Sequence, residues 1–184
     1  MNFFDGNQGL LRQASSRLKG NALTTKATTI KVLVDVLNTL AQANIRWEEI
    51  RNFKLQENLE MIPIIKQTLA NLILETLYKH VEDLNPAELY SVLFNWSKFG
   101  NSWNELIHFN MVGEHKNLQQ RFIQAIGNHL EDYTASDLQN LLTLVPVFDL
   151  NQDVVNNTTN TEYNLLEALQ NHSANINQKH SINR

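Results

Sequence analysis

Apolar residues recur at helical spacing along nearly the whole chain, and no segment sustains the two-residue alternation of a half-buried strand. The pattern predicts a first helix over about 8–20, with Leu10, Leu11, Ala14 and Leu18 on one face. A second follows over about 26–43, and a short third starts near Trp47. A long helix is predicted over about 60–83, where Pro63 is tolerable only in the first turn. Asn85-Pro86-Ala87-Glu88 then sets an N-cap Asn, an N1 Pro and an N3 Glu in order. Leu89, Val92, Leu93, Trp96 and Phe99 form one apolar stripe behind that cap, and Gly100 marks its end. Ser102-Trp-Asn-Glu105 repeats the capping pattern for a short helix to about 111, and a further helix is predicted over about 114–131. Thr134-Ala-Ser-Asp137 opens a helix that should bend or end near Pro146. Residues 151–160 read as a loop and Thr161 as the cap of a small helix through Leu169. Residues 172–184 read as a polar, disordered tail.

The same pattern returns along the chain. His80-Val-Glu-Asp-Leu-Asn-Pro-Ala-Glu-Leu89 comes back 49 residues later as His129-Leu-Glu-Asp-Tyr-Thr-Ala-Ser-Asp-Leu138. Upstream, Leu69, Ile73, Leu74 and Leu77 pair with Leu118, Phe122, Ile123 and Ile126. Downstream, Val92, Leu93, Trp96 and Phe99 pair with Leu141, Leu142, Val145 and Phe148. A weaker copy lies 56 residues before the middle one, where Leu33, Val36, Leu37, Leu40, Ala43, Trp47 and Ile50 match Leu89, Val92, Leu93, Trp96, Phe99, Trp103 and Leu106. A helix pair of this kind cannot bury its apolar stripe alone, so neighbouring copies must stack. The expected fold is all-α, a right-handed stack of helical hairpins forming a short α-solenoid-like repeat array. The repeat domain would cover residues 1–150, with copies at about 28–58, 60–111 and 114–149, followed by a polar segment over 151–184. The array is either a piece of a longer one or a small domain closed by atypical end units.

The corner and stripe Leu84-Asn-Pro-Ala-Glu-Leu-Tyr-Ser-Val-Leu-Phe-Asn-Trp-Ser-Lys-Phe-Gly100 resembles the octotricopeptide repeats and the related helical repeats of FAST-kinase-like proteins. The likeness is fullest over 69–107, thinner over 118–149 and thinnest over 28–50. It implies stacked helix pairs and an RNA ligand. The spacings of 49 and 56 residues leave room for an extra short helix in each linker.

Charge changes that picture. The net charge is −4, divided unevenly: residues 1–31 carry Arg12, Arg17, Lys19, Lys26 and Lys31 against Asp5 alone, and everything after them is acidic on balance. An acidic body repels phosphate backbones, although a local basic patch acts on its own. The basic N-terminal stretch is open to three readings: a capping helix, an arm that touches RNA or an anionic membrane, or an organelle transit peptide. On the RNA or anion reading the contacts are Arg12, Arg17, Lys19 and Lys26. The absence of cysteine excludes disulfides, thiolate metal sites and cysteine nucleophiles. No apolar run reaches the roughly 20 residues of a membrane span, and no signal-peptide pattern opens the chain, so a cytoplasmic location is expected.

Candidate chemistry is thin. The two His-Xaa-Glu-Asp groups, His80/Glu82/Asp83 and His129/Glu131/Asp132, hold metal-ligand residue types. Equivalent positions of stacked units lie about 10 Å apart, however, which makes a row and not a chelate. Their acids sit at a helix C-terminus and could turn to cap the following helix. His108 and His115 are expected to be surface or packing histidines. Phosphate-loop, dinucleotide and serine-nucleophile motifs are missing, so no catalytic residues, metal or cofactor are expected. Tyr90 and Phe94 are the informative pair. They lie off the shared stripe, and their equivalents are Val34 and Asn38 in the first copy and Gln139 and Thr143 in the last. Core positions repeat while these vary, as a ligand-facing surface does. The alternative is a middle helix buried on both sides. The expected function is a non-enzymatic module that binds a protein or peptide, with Tyr90 and Phe94 as apolar anchors and Asn38, Lys98, Gln139 and Thr143 as polar neighbours. The alternative is RNA binding through the same helices.

Overall fold

The computed structural model describes residues 4–20, 25–55, 67–101, 103–147 and 165–182. Among them the fold is all-α: α1 (Phe4–Gly20), α2 (Lys26–Gln42), α3 (Trp47–Asn52), α4 (Leu69–His80), α5 (Pro86–Lys98), α6 (Leu118–Asn128), α7 (Ala135–Val147) and α8 (Leu165–Ile182). Short 3-10 turns cover Val81–Asp83, Trp103–His108 and Leu130–Asp132. The one β-type pairing among the described residues is an isolated bridge between Lys54 and Thr68.

Local chemistry fixes most of these starts. The Thr25 hydroxyl accepts from the Thr28 amide at 3.4 Å and opens α2. Asn85 and Glu88 close a reciprocal box at the head of α5, with the Glu88 amide 3.0 Å from Asn85 Oδ1 and the Asn85 amide 2.9 Å from Glu88 Oε2. Asn117 and Gln120 form the same box on α6, at 2.9 and 3.0 Å. Thr134 and Asp137 do so on α7, at 3.2 and 3.0 Å. Gly100 follows α5 at φ +81°, where a side chain would be strained, and so ends the helix.

Five boundaries differ from the sequence expectation, the first being that of α1, which begins at Phe4 and not at about 8. The long helix predicted from about 60 begins at Leu69. Residues 67 and 68 instead pair with the chain after α3: the Leu55 amide donates to Gln67 O and the Leu69 amide to Phe53 O, both at 3.0 Å, and Thr68 then caps Asn71 at 3.2 Å. Pro63 lies outside the described residues, as do Ser102, 151–160 and Thr161. The helix expected to reach about 111 is a 3-10 turn that stops at His108. α6 starts at Leu118 and not at about 114, because the chain still turns at Gly113 (φ +86°) and Asn117 supplies the cap. At the other end, α8 runs to Ile182, well past Leu169, through the stretch that reads as a disordered tail.

α2 packs beside α5, α5 beside α7, and α7 beside α8. α1 and α4 cover α2, α3 lies on α4, and α6 lies on α4, α5 and the Trp103–His108 turn. One continuous apolar cluster runs from Leu11 on α1 to Leu169 on α8. Several positions that match in sequence are buried in it: Leu33, Leu89 and Leu138 are all fully enclosed, as are Leu69 and Leu118, whereas Ala43, Leu74 and Leu142 are only partly covered. Trp47 and its counterpart Trp103 are both buried. Trp47 lies 4.7 Å from Trp96 between ring centroids and donates its amide to Phe99 O at 3.3 Å, which ties α3 to the end of α5. Such aromatic pairs add about 0.5–1.5 kcal/mol beyond their buried area.

Candidate functional site

The stripe that α5 turns inward leaves Tyr90, Phe94 and Lys98 on its other side, spaced four residues apart and hence stacked one above the next. The Tyr90 and Phe94 rings lie 5.7 Å apart at 26°, and the Lys98 ammonium sits 4.9 Å from the Phe94 centroid. Tyr90 is half-buried against the core, whereas Phe94 keeps 37% of its surface exposed. The reading of α5 as a helix buried on both sides therefore does not hold for Phe94. A cation and a second ring hold this side chain in place without covering it.

The polar neighbours divide. Gln139 and Thr143 are exposed at the equivalent places on α7, and the Thr143 hydroxyl donates to Asn140 O at 2.6 Å. Asn38 sinks into the seam between α2 and α5, where its Oδ1 accepts from Asn95 Nδ2 at 2.5 Å and from Ser91 Oγ at 3.2 Å. Asn95 is buried, so Asn38 serves as the internal acceptor that satisfies it rather than as a polar neighbour of Phe94.

The twin His-Xaa-Glu-Asp groups differ. His129 Nδ1 lies 3.0 Å from Asp132 Oδ2 and closes a local clasp, whereas His80 Nδ1 stands 4.0 Å from Asp83 Oδ2, outside hydrogen-bond reach, and is buried without a hydrogen-bond partner. Their acids do not cap the next helix; Asn85 and Thr134 do that. Asp83 instead pairs with Lys26 on α2 at 2.9 Å. Glu82 pairs with Arg121 on α6 at 3.1 Å, and the Arg121 guanidinium lies over the Tyr78 ring at 4.5 Å. The Tyr78 hydroxyl donates to Lys116 O at 2.5 Å. Burial lowers the pKa of His80, an effect that Asp83 opposes and Lys26 and Lys79 reinforce. Burial also raises the pKa of Tyr133, with Asp137 and Asp132 adding to the shift. No group of three or more potential metal ligands occurs among the described residues. His108 and His115 are both exposed.

The basic candidates divide as well. Arg17 pairs with Asp35 at 3.3 Å and Lys26 with Asp83, so both fasten α1 and α2 into the body. Arg12 and Lys19 instead line two adjoining cavities of about 920 and 520 Å³ beside α1 that share Arg12 and Phe53. The larger cavity is also lined by Arg46 and Lys54. These two cations and Phe53 were not singled out from the sequence. They lie more than thirty residues from Arg12, and the only local signal was the cluster Arg46, Arg51 and Lys54 in an otherwise acidic body. No helix among the described residues is long and apolar enough to cross a membrane. No protein-family model matches this chain, and no curated protein or solved structure matches it either.

Proposed function

We propose that this chain is a short, octotricopeptide-like array of stacked helical hairpins that binds a protein or peptide partner and catalyses no reaction. The row α2–α5–α7–α8 and the burial of Leu33, Leu89 and Leu138 at equivalent places support the stacked reading. The observation that carries the binding reading is the exposure of Phe94, stacked on Tyr90 and held under Lys98. An aromatic ring already fixed in position loses little side-chain entropy when a partner covers it, and such rings dominate binding energies. Exposed Gln139 and Thr143 on the neighbouring helix supply a polar rim.

The test is a photo-crosslinking amino acid placed at position 94 and, as a control, at exposed Val112. Each protein is irradiated in extract from the source cell. The expected result is a discrete protein adduct at 94 that is absent at 112 and persists between about 50 and 200 mM salt, since an apolar anchor is not screened. Lys98→Ala, which leaves both rings in place, should retain the adduct. An adduct that is RNA and disappears at the higher salt would replace a protein ligand with a nucleic acid. Identical labelling at 94 and 112 would remove the basis for the reading.

A further inference from the structure

The cavities between α1 and the chain after α3 have a charge out of keeping with the rest of the molecule. Arg12, Lys19, Arg46 and Lys54 are all exposed on their walls, in a protein of net charge −4. Among the described residues none of the four has a carboxylate at ion-pair distance, whereas Arg17, Lys26 and Arg121 each have one. Among the described residues two acids share the walls, Glu48 and Glu49, and Glu49 is already hydrogen-bonded at both oxygens. Its Oε1 accepts from the Arg46 amide at 3.1 Å and its Oε2 from Asn7 Nδ2 at 2.8 Å. Four basic side chains against two acidic ones leave the described walls basic on balance.

The walls are also firmly held. Arg12 and Lys19 share one face of α1 with Gln8, Ser15 and Ser16, a track of about 16 Å at helical rise. On the opposite side the Phe53 amide donates to Glu49 O, Phe53 O accepts from the Leu69 amide, and Lys54 pairs with Thr68. Phe53 is half-buried and borders both cavities, so it presents a fixed ring between the cations.

We infer that this groove is a binding site for a nucleoside polyphosphate. The cations match a chain of phosphates, and charge-assisted hydrogen bonds from guanidinium groups suit phosphate oxygens. Phe53 and the Arg12 guanidinium offer the flat surfaces on which a base stacks. A cavity of about 920 Å³ is within the range that encloses a ligand of this size. An acidic peptide would use the cations but not the ring. The groove shares no lining residue with the Tyr90–Phe94–Lys98 surface, and neither proposal rests on the other.

The experiment is calorimetric titration of the full chain with ATP, inorganic triphosphate, adenosine and a glutamate decapeptide. ATP should bind one to one with a dissociation constant below about 1 mM, triphosphate more weakly and adenosine not measurably. R12Q and K54Q should each weaken ATP by about tenfold, while R17Q, whose guanidinium is bound to Asp35, should stay within about twofold. F53L keeps the apolar volume and should weaken ATP by roughly fivefold without changing triphosphate. Should F53L fail to fold, the preference of the unmodified protein for ATP over triphosphate tests the ring by itself. A mixed-sequence RNA 12-mer that displaces ATP would retain the site and assign the nucleotide to a polynucleotide source. Absence of saturable ATP binding, equal losses in R17Q and R12Q, or equal affinity for the glutamate peptide would each overturn the assignment.

Discussion

Phe94 on α5, Asn38 on α2 and Thr143 on α7 align with one another in the sequence, yet they have three different roles. Asn38 accepts hydrogen bonds from Ser91 and Asn95, Thr143 bonds its own helix, and Phe94 remains partly in solvent. The difference is measurable against the next residue. Leu93 is buried, so Leu93→Ala should cost about 2–5 kcal/mol of unfolding free energy. Phe94→Ala should cost only about 1–2 kcal/mol, the worth of one ring stack and one exposed cation–π contact. Urea melts of the two variants compare them directly, and equal losses would mean that Phe94 is a core residue. His80 supports a second prediction at this scale. Its pKa is lowered in the folded state, so the unfolded chain binds the extra proton more readily. Stability from this group is therefore full above the ordinary histidine pKa of about 6.5 and falls as pH drops through that value toward the folded pKa. The urea midpoint should decline between about pH 7 and 5, and His80→Gln should flatten that decline. A midpoint whose pH slope is the same in both proteins would rule His80 out as the group responsible.

At the scale of single elements, legibility in the sequence followed the range of the interactions. The start of α5 was readable because Asn85, Pro86 and Glu88 act within one turn. Asn85→Ala should cost about 1 kcal/mol, visible as a lowered thermal midpoint, and Glu88→Ala should cost less, since Asn85 still caps the helix. The start of α4 was not readable, because the pairing of Leu55 with Gln67 and of Lys54 with Thr68 joins segments on either side of an undescribed stretch. α8 was read as a short helix and a loose tail because its polar residues form only a weak apolar face. Contact with α7, where Leu169 is buried, accounts for its inclusion in the fold. The candidate surface on α5 was visible as a departure from the repeat at Tyr90 and Phe94. Asn38 was misplaced because a repeat alignment gives a position but not the polar partner opposite. The groove was invisible, since Arg12, Arg46 and Lys54 converge only once α1 and the 53–55 segment are placed together.

Across the whole molecule the question is whether the helices melt as one unit. Equivalent positions lie in one apolar cluster that reaches from Leu11 to Leu169 without a break, so a defect at either end is felt throughout. Leu33 on α2 and Leu169 on α8 lie at opposite ends of the row α2–α5–α7–α8, and both are buried. Removing either side chain should cost about 2–5 kcal/mol and should lower a single shared transition rather than detach one end. The protein offers two independent observers of that transition. Its three tryptophans, at 47, 96 and 103, lie toward α3, α5 and α6, far along the row from α8, whereas far-UV circular dichroism reports every helix at once. In Leu169→Ala the tryptophan and dichroism curves should coincide at a common, reduced midpoint, as those of a single cooperative unit do. If dichroism fell first while tryptophan emission held its original midpoint, the stack would be uncoupled at α7, as weakly coupled repeats are. The face carried by α5 would then remain folded in a chain that had lost its last helix.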